Sequence, residues 1–202
     1  MTATHLLIGL GNPGGTYAGT RHNVGFLSLD WIAGELQGSF RKAFFRPYLY
    51  CPVRYHTTFL ILAKPLTYMN RSGEAAVRLL RRYHIAPSRM IVLCDTMDLP
   101  AGTVRIKRGG STAGHRGIAS LISEVGSSDF PRVYIGIGRP APDNTVVAHV
   151  LGVPNDTESG FIHQGIAAAG QAALKLTSGS LEQVMHEYNR KRPILKGAEE
   201  DS

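Results

Sequence analysis

Short apolar runs alternate along this chain with stretches in which apolar residues recur at helical spacing, and that alternation limits the fold more than any other feature. The runs His5–Gly9, Tyr48–Val53, Phe59–Ala63, Met90–Asp95, Val104–Lys107 and Val133–Gly138 predict strands. Between and after them, periodicity predicts helices over Asn23–Leu36, Ser72–Tyr83, Gly117–Val125, Glu158–Thr177 and Leu181–Arg190, with a short helical turn at Val146–Leu151. Asn23 is a residue type suited to cap the first of these helices. The pattern is that of an α/β fold. Tyr48–Val53 and Phe59–Ala63 are close enough in sequence to form a hairpin, so the twisted sheet is expected to be mixed rather than wholly parallel, with helices flanking it. No linker divides the chain. A single compact domain over residues 1–192 is expected, followed by a flexible tail over 193–202, where the sequence turns from basic to acidic.

With 202 residues and 43% hydrophobic content, such a domain can bury a substantial core. Its formal charge of +7 points to an anionic partner without identifying one. Cys51 and Cys94 sit in apolar runs without C-x-x-C spacing, which indicates neither a zinc site nor a disulfide framework and suits a reducing cytoplasm. No basic leader precedes a long apolar stretch, and no run approaches bilayer length, so a cytoplasmic protein with no membrane role is expected.

Polar chemistry gathers just past the strands. Gly9-Leu10-Gly11-Asn12-Pro13-Gly14 is followed closely by Thr20-Arg21-His22-Asn23. The spacing Gly9-x-Gly11-x-x-Gly14 also matches a dinucleotide-binding fingerprint, in which the glycines open directly into a helix. Here Pro13, Gly14, Gly15 and Gly19 keep the chain irregular to about Arg21, which suits an active-site loop better. Similar clusters follow at Thr67-Tyr68-Met69-Asn70, at Asp95-Thr96-Met97-Asp98-Leu99-Pro100, and at Gly109-Gly110-Ser111-Thr112-Ala113-Gly114-His115-Arg116-Gly117. In α/β sheets ligands bind beyond the carboxyl ends of the strands, so loops carrying Asn12, His22, Asn70 and Asp95 are expected to converge.

These motifs, together with Lys64-Pro65-x-Thr67-Tyr68-Met69-Asn70-x-Ser72-Gly73 and Gly136-Ile137-Gly138-Arg139-Pro140, give a chain that closely resembles bacterial peptidyl-tRNA hydrolases. The resemblance spans nearly all of it, the tail excepted. It implies a monomeric esterase, without metal or other cofactor and without an obligate protein partner. Such an enzyme cuts the bond between a peptide and the 3′-terminal ribose of tRNA, recycling tRNA after abortive translation. It also implies His22 as the base and Asp95 as its partner carboxylate. That division of labour is sound chemistry: a neutral imidazole takes a proton from attacking water, while a carboxylate on the other ring nitrogen sets the tautomer and stabilises the imidazolium. Asn12 and Asn70 match active-site amides, and Tyr17 and Met69 match residues lining the cleft. Arg105, Lys107 and Arg108 are raised by the resemblance from a solvated strand edge to candidate tRNA phosphate contacts.

Plainer roles compete at several positions. Asp98 is expected to cap a turn, Asn70 is also a residue type that caps a helix, and Cys94 is expected to be a core thiol. One departure stands out: the family pattern Gly-His-Asn-Gly is here Gly114-His115-Arg116-Gly117, so the asparagine's role does not transfer; Arg116 is a candidate RNA contact in its place, with pairing to a neighbouring acid and an outward-pointing side chain as the alternatives. Tyr134 stands where some relatives carry arginine. The rival readings are a non-catalytic RNA-binding relative and a nucleotide-dependent enzyme.

Overall fold

Leu6, Leu7 and Ile8 are fully buried, as consecutive residues must be in a strand covered on both faces. In the computed structural model, which describes residues 4–190, they belong to β1 (Thr4–Gly9), a central strand of a seven-stranded sheet. The others are β2 (Arg41–Lys42), β3 (Tyr48–Tyr55), β4 (Thr58–Pro65), β5 (Met90–Thr96), β6 (Val104–Lys107) and β7 (Arg132–Gly136), in the spatial order β2-β3-β4-β1-β5-β7-β6. β4, β1, β5 and β7 are parallel, and antiparallel pairing adds β3 and β2 at one edge and β6 at the other. The sheet is mixed, as expected, and the β3–β4 hairpin forms with Tyr55 opposite Thr58.

The helices are α1 (Val24–Glu35), α2 (Ser72–Tyr83), α3 (Arg116–Val125), α4 (Val146–Leu151), α5 (Asp156–Leu176) and α6 (Leu181–Asn189). Strand alternation divides the core in two. Leu7, Leu60, Leu62, Leu93 and Val133 face Leu29 and Ile32 of α1 and Ile166 and Ala169 of α5. Leu6, Ile8, Ile61, Val92 and Cys94 face Ala76 and Leu79 of α2 and Ile118 and Leu121 of α3. The tail expected over 193–202 lies outside the described residues.

Some boundaries differ from the sequence reading for local reasons. The first helix starts at Val24, after two 3-10 turns at Gly15–Tyr17 and Arg21–Asn23 that take up the irregular segment. Asn23 occupies the N-cap position but makes no capping bond. Asn70 does not cap α2 either, because Arg71 holds that place after the 3-10 turn Met69–Arg71. The last parallel strand ends at Gly136, and Gly138 turns the chain with a φ of 70° while its N–H donates to the Leu99 carbonyl. β2 was not visible in the sequence, since Arg41 and Lys42 are both exposed and present no apolar pattern.

Candidate active site

Loops at the carboxyl ends of β1, β4 and β5 meet the loop preceding α3 around a cleft of about 510 Å3. The convergence begins with backbone contact. A Cβ at Gly25 would lie 2.4 Å from the Leu93 carbonyl oxygen and 2.6 Å from that of Leu10, so only glycine lets α1 approach β1 and β5 this closely. That approach places the turn carrying His22 over the end of β5.

Asp95, on β5, is 4% exposed, and its Oδ1 lies 2.7 Å from His22 Nδ1 and 3.1 Å from His115 Nε2. His115 is the N-cap of α3, and its Nδ1 accepts from the backbone N–H groups of Gly117 and Ile118 at 3.1 and 3.3 Å. Because Nδ1 is an acceptor, the ring proton sits on Nε2 and is donated to Asp95. Two imidazoles therefore serve one carboxylate oxygen. Burial acts to raise the Asp95 carboxyl, but His115 and then His22 outweigh it and hold it well below the usual carboxylate range. With Nδ1 of His22 donating to Asp95, its Nε2 is the acceptor, and it has no protein partner among the described residues.

The same three residues, His22, Asp95 and His115, offer a donor set of the kind that binds metals. The hydrogen bonds of His115 weigh against that use. A metal on Nε2 would move the ring proton to Nδ1, facing two backbone N–H donors.

Asn12 is buried and held at several points. Its backbone N–H donates to Asn23 Oδ1 at 2.7 Å, its carbonyl accepts from Asn23 Nδ2 at 3.0 Å, and its Oδ1 accepts from the Met69 N–H at 3.0 Å. Asn23 is thus spent on the active loop rather than on a helix cap. With Asn12 Oδ1 occupied, its Nδ2 remains to donate into the cleft. Met69 lines the cleft and packs against Gly117, where a Cβ would lie 2.6 Å from the methionine sulfur. Asn70 and Arg116 also line it, both exposed. Tyr17 is half-buried on its own 3-10 turn, where its carbonyl accepts from Thr20, and it is not among the lining residues. Asp98 does not cap a turn with its carboxylate, which faces Arg139 at 3.2 Å on the rim.

The basic cluster is split. Arg105 and Lys107 alternate outward along β6, with Lys107 Nζ 5.6 Å from the ring centre of Tyr134, itself a cleft residue. Arg108 turns instead toward Glu182 of α6 at 3.7 Å.

Sequence reasoning overlooked three residues here. His115 stands within the glycine-rich motif, where no local pattern marks its role. Arg132 is fully buried, yet its guanidinium has no carboxylate partner among the described residues; it donates to the carbonyls of Gly110 and Ser111 at 2.7 Å each and so anchors the loop leading to His115. A cation inside the apolar run Arg132-Val133-Tyr134-Ile135 was the available signal. Arg21, beside His22, pairs with Glu158 of α5 and donates to the carbonyls of His149 and Val153, while its backbone N–H donates to Gly152. It fastens α4, whose Val146, Val147 and Val150 form one wall of the cleft.

The family model described as peptidyl-tRNA hydrolase matches residues 6–195. The peptidyl-tRNA hydrolase of Aquifex aeolicus is 42% identical over 187 residues, covering 92% of this chain and 96% of its own, and that of Dehalococcoides mccartyi strain BAV1 is 43% identical, covering 91% and 98%. Among solved structures, peptidyl-tRNA hydrolase from Acinetobacter baumannii superposes with a TM-score of 0.88 at 32% identity, over 96% of this chain and 98% of that one. In sequence and in fold alike, the chain belongs to the peptidyl-tRNA hydrolase family.

Proposed function

We propose that this peptidyl-tRNA hydrolase cleaves the ester between peptide and tRNA by water attack directed by His22 and Asp95. The observation that carries the reading is the 2.7 Å contact between His22 Nδ1 and Asp95 Oδ1, which leaves Nε2 as the open basic nitrogen in the cleft. Water placed at Nε2 gives up a proton as its oxygen adds to the ester carbonyl. The tetrahedral intermediate then collapses, the ribose oxygen leaves, and the proton on His22 passes to that oxygen, yielding a peptide carboxylic acid and a free tRNA hydroxyl. Asp95 stabilises the imidazolium between these steps, and His115 keeps the carboxylate oriented. The free N–H2 of Asn12 and the amide of Asn70 donate to the substrate backbone or the developing oxyanion, and Met69 packs against substrate in the same cleft. Arg105, Lys107 and Arg116 lie on the side suited to phosphate.

The enzyme acts in this reading as a cytoplasmic monomer; light scattering on the purified chain tests the monomer. Activity is tested by release of peptide from an N-blocked aminoacyl-tRNA, with the same tRNA bearing a free amino group as the comparison. Hydrolysis of the blocked ester with the free one spared supports the reading, and no release from either sinks it.

A further inference from the structure

The most exposed large apolar side chains lie outside the cleft. Phe44 is 83% exposed and Phe45 89%, and their rings meet edge to face with centroids 4.1 Å apart in the turn between β2 and β3. Phe45 has a φ of 53°, a left-handed conformation that costs a bulky residue and that glycine adopts freely. An aromatic pair presented to solvent in this way calls for a partner. Arg41, Lys42 and Arg46 around it are exposed and have no carboxylate partner among the described residues. Packing the same face on a second copy would set these cations against their equivalents, which disfavours self-association.

The turn leads through Pro47 into the wall of a cavity beside the cleft. Tyr48 pairs with Pro65 at the carboxyl end of β4, and the Pro47 carbonyl accepts from the Leu66 N–H at 2.7 Å. A second cavity of about 460 Å3, lined by Pro13, Pro47, Leu66 and Arg71 among others, shares Tyr68 as a wall with the reaction cleft. The two sides of that cleft differ in chemistry. Arg116, with Lys107 over the Tyr134 ring, stands on the α3 and β6 side. Pro13, Pro47, Leu66 and the exposed Tyr68 stand on the other, where Arg71 is paired with Glu74 at 2.6 Å. The substrate has the same polarity about its ester, a polyanion in one direction and a polypeptide in the other.

We propose that the second cavity and the Phe44–Phe45 turn form an extended subsite for the peptide part of the substrate, engaging apolar residues several positions before the ester. Aromatic and proline surfaces offer large contact area without demanding a particular sequence, as suits a peptide of arbitrary composition. The inference rests on the function proposed above.

The test compares wild type with the double variant Phe44→Ser/Phe45→Gly, the glycine relieving the left-handed backbone so that the fold is kept. Three substrates share one tRNA: an N-acetyl-aminoacyl ester, an ester of a six-residue peptide rich in Leu and Phe, and one of a six-residue Gly-Ser peptide. Wild type is expected to show a lower KM for the apolar peptide than for the Gly-Ser one. The variant should raise the apolar KM about tenfold, leave kcat in place, and leave the N-acetyl ester unaffected. An equal loss on all three would make the turn an RNA contact and overturn the proposal. Unchanged kinetics throughout would overturn it too, as would a wild-type dimer that the variant dissociates. Failure of wild type on the N-acetyl ester would instead refute the proposed activity itself.

Discussion

The floor and the rim of the cleft are built by opposite means. On the floor Asn12, His22, Asp95 and His115 are buried or nearly so, and each is held by at least one hydrogen bond to another residue of the site. On the rim Asn70, Arg116, Val146 and Val147 are exposed, and Asp98 pairs with Arg139, itself exposed. Groups that must act on a bond are preorganised by the protein before substrate arrives, which is where electrostatic catalysis gains most. Under the proposed function, the rim groups would choose the substrate and find their partners in it. Substitutions on the floor should therefore cost turnover, and those on the rim should cost affinity.

The sharpest way to break that contrast is at His22. His22→Ala should keep the fold and tRNA binding but lose about two to four powers of ten in single-turnover cleavage, the range of a general base. Near-normal cleavage by the folded variant would remove His22 from the mechanism. Asp95→Asn should follow at about 10²-fold or more, because an amide in place of the carboxylate neither stabilises the imidazolium nor enforces the Nδ1–H tautomer. Loss confined to KM would recast Asp95 as a substrate contact.

His115 divides the comparison more finely, since it both caps α3 and supports Asp95. His115→Asn supplies another good N-cap side chain that is too short to reach the carboxylate. It should retain thermal stability within about 1 kcal/mol while lowering kcat about tenfold, the rate equivalent of one charge-assisted hydrogen bond of about 1.5 kcal/mol. His115→Ala should lose both. If the asparagine variant keeps full kcat, the contact with Asp95 is only structural.

The floor and rim also differ in how well the sequence announced them. Strands with unbroken apolar runs, such as Met90–Cys94, and the clusters after them carried both the α/β architecture and the loops of His22 and Asp95. What escaped was set by tertiary contact. Asn23 has the composition of a helix cap, and only the approach of the Asn12 loop diverts its amide. His115 gains its role from a carboxylate 20 residues away, and Arg132 from carbonyls of a loop more than 20 residues before it. The two residues of β2 pair only because β3 offers an edge, a condition with no local periodicity.

On the rim, Arg116 opens α3 as an exposed cation at a helix N-terminus, where the dipole disfavours it. A counter-charge supplied by substrate would offset that cost. Arg116→Ala should then raise KM roughly three- to tenfold, the scale of a partly exposed contact worth about 1 kcal/mol, with kcat little changed. Arg116→Asn should recover part of that loss through amide hydrogen bonds. Identical KM in all three proteins would make the arginine an idle surface residue.

The smallest effect tests whether the basic cluster belongs to the rim at all. Arg105 and Lys107 leave β6 on the side of Tyr134, whereas Arg108 is engaged by Glu182. Each cation that touches phosphate releases condensed counterions, so its removal should flatten the dependence of log affinity on log salt by about 0.7 per contact where the RNA is single-stranded. Measured with deacylated tRNA on a His22→Ala background, Arg105→Gln and Lys107→Gln should each flatten the slope and weaken binding a few-fold at low salt. Arg108→Gln should do neither, because its charge is already met by Glu182. Saturating substrate should restore turnover in the single variants with His22 intact, since ground state and transition state share such contacts. A slope change for Arg108 equal to that for Lys107 would mean that the Glu182 contact gives way to RNA, and the cluster would then act as one surface.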